Sequence, residues 1–109
     1  MSETNPRIDL TPEHLKIVQD VLRQHVPDKE VLAFGSRVTW TAREYSDLDL
    51  AIMGNEPIPL DTSSALEEAF SESDLPFKVD LIDWAQTSET FRNIIRRDAT
   101  VVQMVVSLR

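Results

Sequence analysis

The chain has 109 residues, 41% hydrophobic and 28% charged, which is enough for one domain with one core and too few for two. Its 19 acidic and 11 basic residues give a net charge of −8, and such a surface repels phosphate backbones, excluding generic DNA or RNA binding. Cysteine is absent, so disulfides, thiolate catalysis and thiolate metal sites are excluded together.

No apolar run approaches the roughly 20 residues that cross a bilayer, so no membrane partner is expected. The opening M-S-E-T-N-P-R lacks the apolar core and cleavage pattern of a signal peptide, and the expected compartment is the cytoplasm. Residues 1–10 read as a flexible lead-in and residues 11–109 as a single domain.

In chain order, Thr11-Pro12-Glu13 is a helix start: Thr at the N-cap, Pro where its missing N–H costs nothing, an acid in the first turn. Leu15, Val18, Val21 and Leu22 recur at helical spacing, which carries the helix to about His25 before Pro27 ends it. His14 and His25 are read as surface or cap residues. Residues 29–34 form a buried strand, with four successive apolar residues at Val31-Leu32-Ala33-Phe34. A short helix or helical turn entered through Gly35 spans Ser36 to about Arg43. Leu48, Leu50 and Ile52 alternate with Asp47, Asp49 and Ala51, a period-two strand with one apolar face.

Gly54 to Pro59 is a break. Asp61 or Ser64 is expected to cap the next helix, since Ser64-Ala65-Leu66-Glu67 has the capping-box form. Residues 77–82 make a third strand with Asp80 in its middle, and Thr87 or Ser88 starts a helix that ends near Arg96 and Arg97. The very apolar residues 99–108 form either a last strand or a segment covered by a partner. The expected fold class is α/β (α+β): a small mixed sheet with helices packed on it.

Three acids stand out. Asp47 and Asp49 project from one face of a strand, roughly 6.5–7 Å apart along it. Asp80 joins them if its strand lies alongside. A carboxylate among Val79, Leu81 and Ile82 is costly to bury unless paired or bound to metal. Hard cations such as Mg²⁺ prefer such oxygens, and two of them about 3.5–4 Å apart clamp the attacking and leaving oxygens of an in-line displacement at phosphorus. Gly35 allows strained backbone angles and close approach of a phosphate. Ser36 and the N–H groups after it suit the β- and γ-phosphates, and Arg37 or Arg43 would add a charge-assisted contact. Taken singly, each residue has a plainer reading: Ser36 as a helix cap, Asp47 as a turn residue, Asp49 and Asp80 as solubility charges. The combination points to phosphoryl or nucleotidyl transfer.

At these residues the chain resembles the minimal nucleotidyltransferase family of the polymerase-β superfamily. The family pattern, G-S, ten residues, then D-x-D, falls on Gly35, Ser36, Asp47 and Asp49, and its third acid on Asp80. The resemblance implies a nucleotidyltransferase fold, two Mg²⁺ ions held by Asp47, Asp49 and Asp80, and attack on the α-phosphate of a nucleoside triphosphate. It implies that Asp80 helps to orient or deprotonate the incoming hydroxyl, and that Gly35, Ser36 and Arg37 hold the triphosphate. Many members are antitoxins paired with a HEPN-domain toxin, and the best studied transfer AMP from ATP to a tyrosine of that partner. The resemblance therefore implies a protein adenylyltransferase and antitoxin. Its alternatives are a non-catalytic antitoxin that acts by occlusion and a transferase for a small-molecule acceptor. One position departs from the family, which carries a small residue where this chain has Trp40; core filling is the default reading of such an aromatic.

Overall fold

The computed structural model describes residues 7–105. Helix α1 (Pro12–His25) starts as its sequence dictates, with Thr11 Oγ1 accepting a hydrogen bond from His14 N at 3.0 Å. Strand β1 (Val31–Phe34) follows, then a one-turn helix α2 (Ser36–Thr39), strand β2 (Leu48–Ile52), helix α3 (Leu60–Ser71) and strand β3 (Val79–Asp83). A single 3-10 turn, Trp84–Gln86, leads to helix α4 (Glu89–Asp98), capped by Ser88, and to strand β4 (Thr100–Gln103).

The sheet order is β3-β2-β1-β4. β1 runs antiparallel to β2 and β4, whereas β2 and β3 are parallel, as a crossover through α3 allows. This is the mixed α/β sheet expected from the sequence. Its two faces are covered differently. Leu48, Leu50 and Ile52 of β2 join Val31, Ala33 and Val102 against α1 and α3, through Val18, Leu22, Leu66 and Phe70. Phe34 and Ala51 face the other way, against Trp84 and Ile95 of the α4 side, where Phe34 meets Phe91 edge-to-face at 5.9 Å. Strand alternation puts Asp49 and Asp80 on this second face, one step beyond Ala51 and Ile82.

Several expectations are corrected. The lead-in is not loose throughout: Ile8 and Leu10 are buried in the main core, and Asp9 N donates to Arg37 O at 2.6 Å. Residues 1–6 lie outside the described residues. α2 stops at Thr39, well short of Arg43, because Trp40 adopts a left-handed conformation (φ 62°). α3 begins a turn before Ser64, following Pro59 without a side-chain cap, so neither Asp61 nor Ser64 is its N-cap. The two alternatives for the C-terminal segment resolve in favour of a strand over Thr100–Gln103; residues 106–108 lie outside the described residues. Trp40 does not fill the core, being 50% exposed. Among the described residues no helix is long and apolar enough to cross a membrane.

Candidate active site

The site is built at the ends of β1, β2 and β3. β1 delivers the chain to Gly35, whose φ of 85° and ψ of −156° fall in a region open essentially to glycine alone. A Cβ at this position would overlap Asp49 Oδ2. The backbone of the Gly-Ser turn therefore lies against the carboxylate, closer than any other residue type permits. Ser36 begins α2, so the first N–H groups there lack intrahelical partners and point out of the helix start.

Asp49 is half-buried in β2, directly beside Asp80 of β3 in the parallel register. Asp47 is exposed just before β2 begins. Burial pushes the Asp49 carboxyl up from its ordinary value, and the negative charges of Asp80 and Asp47 push it further the same way. The three acids predicted from sequence are thus brought together. Among the described residues they do not close into a ready-made cage of three metal ligands. Asp80 instead faces Lys78, whose Nζ stands 3.5 Å from its Oδ1. Asp49, with the charges of Asp80 and Asp47 acting on it beside a backbone turn that has no Cβ, presents oxygen donors of the kind a hard divalent cation takes. A cavity of about 650 Å³ opens beside Asp80 between α3 and β3, bordered by Glu67, Phe70 and Lys78.

Arg37 departs from its expected role. It is 6% exposed and turned away from the turn's open side. Its guanidinium donates from Nε to Ser46 O at 3.1 Å, from Nη2 to Glu44 O at 3.0 Å and from Nη1 to Asp9 O at 2.9 Å. Its Cζ also lies 4.1 Å from the centroid of the Phe77 ring, which meets His14 edge-on at 5.6 Å. Burial lowers the affinity of Arg37 for its proton and Asp9 partly opposes this, but a guanidinium stays charged throughout. Arg37 is a clamp: it fixes the loop that carries Asp47 and ties it to the lead-in and to Phe77, two residues before β3. Three of its donors are thereby taken by main-chain oxygens. The sequence offers no sign of this, because the acceptors are backbone carbonyls and Phe77 is distant along the chain. Lys78 is likewise absent from the sequence reading; its place two residues before Asp80, hence on the same strand face, is the signal that could have found it.

The site is thus a glycine-only turn seated on a strand carboxylate, with a second acid paired beside it. The chain belongs to the family described as Polymerase beta, Nucleotidyltransferase, which matches residues 16–104. It is 56% identical over 97 residues to the protein named Probable protein adenylyltransferase MntA from Haemophilus influenzae (strain ATCC 51907 / DSM 11121 / KW20 / Rd), covering 89% of this chain and 85% of that protein. Among solved structures, a chain of a toxin–antitoxin crystallised with AMP-PNP superposes with a TM-score of 0.69 at 21% identity, over 81% of this chain and 71% of that one. A chain of the tri-AMPylated Shewanella oneidensis HEPN toxin in complex with MNT antitoxin gives a TM-score of 0.57 at 19% identity, again over 81% and 71%. At such identities these two likenesses concern the fold.

Proposed function

We propose that this nucleotidyltransferase moves AMP from ATP to a hydroxyl of a HEPN-type toxin and thereby acts as its antitoxin. The single observation that carries the reading is the pairing of Asp49 with Asp80 beside Gly35, in a chain more than half identical to a relative named as a protein adenylyltransferase. The toxin–antitoxin structures of the same fold, one with AMP-PNP and one with AMPylated toxin, support the choice of ATP and of a HEPN partner.

Asp47, Asp49 and Asp80 would hold Mg²⁺. When bound, Mg²⁺ supplies the positive charge that offsets the triphosphate and the departing pyrophosphate. The Gly35–Ser36 backbone receives the triphosphate through the N–H groups at the start of α2, beside Asp49. Asp80 orients the acceptor hydroxyl and takes its proton. A new bond forms from that oxygen to the α-phosphorus, the bond from the α-phosphorus to the bridging oxygen breaks, and pyrophosphate leaves with the electron pair. Arg37 contributes only by holding residues 44–46, and with them the approach to Asp47, in place.

The test is transfer of label from ATP marked at its α-phosphate to the co-purified HEPN toxin. Asp47→Asn and Asp49→Asn should each abolish labelling. Unchanged labelling in both would sink the assignment of these acids.

A further inference from the structure

We infer that the acceptor protein docks on the free edge of β3, as an extended, lysine- or arginine-bearing segment added to the sheet alongside Asp80. This docking presupposes the protein acceptor proposed above and adds how that protein is held.

The register of the sheet fixes which main-chain groups the edge offers. β3 is the terminal strand in the order β3-β2-β1-β4 and pairs with β2 alone among the described residues. Leu48 N donates to Lys78 O at 2.9 Å, so Lys78 turns its main-chain groups toward β2. Alternation gives Asp80 and Ile82 the same direction and turns the N–H and C=O groups of Val79 and Leu81 outward. Among the described residues no hydrogen bond takes up these outward groups. The edge is also uncovered. Every residue of β3 is only partly buried, and the cavity of about 650 Å³ runs along Lys78, Val79, Asp80 and Leu81, with Glu67 and Phe70 of α3 on its other side.

Charge and reach select the occupant. Residues 57–83, which contain α3 and β3, carry seven acids and one base, Lys78. Lys78 stands 3.5 Å from Asp80 and offsets only that acid. Arg92 and Arg96 of α4 approach the end of β3, but there they lie over the Trp84 ring and pair with Glu89. An edge of this sign repels a second copy of itself and attracts a basic segment. Adjacent strands lie about 4.8 Å apart, and side chains at matched positions share a face. A segment bonded to Val79 and Leu81 therefore sets one side chain beside Asp80, on the face that Asp49 shares. An acceptor hydroxyl carried there lies next to the carboxylate assigned to take its proton. Strand addition of this kind draws affinity from main-chain bonds and selectivity from alternate side chains.

The direct test is residue-resolved amide hydrogen exchange of the full chain, free and saturated with the purified cognate HEPN toxin, without ATP. Exchange at Val79 and Leu81 should slow about tenfold or more in the complex. Val79→Pro removes one outward donor at the first position of an edge strand, where proline is tolerated; Val79→Ala trims the same side chain and keeps the donor. Thermal melts check that both fold. By titration calorimetry Val79→Pro should bind toxin about fivefold more weakly than Val79→Ala, as expected for one lost hydrogen bond. Raised salt should weaken the wild-type complex. Unchanged exchange at Val79 and Leu81 in a formed complex would overturn the inference, as would equal affinity of the two folded variants or the absence of any complex. If Val79→Pro does not fold, the exchange measurement decides alone. Toxin that protects this edge yet gains no AMP would leave the docking intact and defeat the catalytic reading; AMP transfer with the edge unprotected would do the reverse.

Discussion

Gly35 and Asp49 are in direct apposition: the position that a Cβ of residue 35 would take is already filled by the Asp49 carboxylate. The Gly-Ser turn and Asp49, fourteen positions apart along the chain, are therefore one structural unit. Gly35→Ala should break it, because the backbone must leave a glycine-only conformation and Asp49 must move. The expected cost is about 1–3 kcal/mol in urea unfolding. Displacing a reacting group by an ångström costs on the order of 100-fold in rate, so nucleotidyl transfer should fall further than the stability loss explains.

Arg37→Lys should destabilise the protein by about 2–4 kcal/mol, despite conserving charge, since one ammonium cannot serve three carbonyls in fork geometry and stack on Phe77. Chemical denaturation measures the loss. If Arg37 held phosphate, the variant would instead keep its stability and raise the KM for ATP.

Asp49 carries an electrostatic penalty. Its carboxyl has a raised pKa from burial, then from Asp80 and Asp47, so the folded protein holds that proton more tightly than the unfolded chain does. Stability from this group is therefore intact in acid and is lost as pH rises from the ordinary carboxylate value through the raised one. Asp49→Asn should melt at a higher temperature than wild type at neutral pH without metal, with the gap closing toward acid. Added Mg²⁺ should stabilise wild type and leave the inactive Asn variant nearly unmoved. Equal melting temperatures at all pH values would mean that Asp49 carries no such penalty.

Lys78 pairs with Asp80, yet it is 74% exposed, so their pair contributes little to folding. Lys78→Ala should change stability by less than about 0.5 kcal/mol. By freeing Asp80 it should lower the Mg²⁺ concentration for half-maximal transfer by about twofold, the equivalent of an exposed ion pair. A higher Mg²⁺ requirement would give Lys78 a supporting rather than a competing role.

Local patterns make much of this molecule legible in its sequence. Thr11-Pro12 sets the start of α1, and alternation about Leu48, Leu50 and Ile52 sets β2 and the face on which Asp49 lies. The position of Asp80 depends on β3 lying beside β2, which the parallel pairing bears out. Features without a local pattern are not legible. Ile8 is a lone apolar residue in a polar stretch, and nothing marks it as core. Arg37 beside Gly-Ser suggests phosphate, while its real acceptors are main-chain oxygens that every sequence possesses. Trp40 is exposed and has a left-handed backbone, and no neighbouring residue type signals either.

The acid pair beside Gly35 is proposed to modify a partner protein rather than merely cover it. Intact-mass spectrometry of the cognate HEPN toxin, incubated with this chain, ATP and Mg²⁺, tests it most directly. Wild-type protein should yield toxin heavier by one or more AMP units, and Asp49→Asn should yield toxin of unchanged mass. Toxin that is neutralised equally by both proteins, with no gain in mass in either, would contradict the claim and leave occlusion as the mechanism.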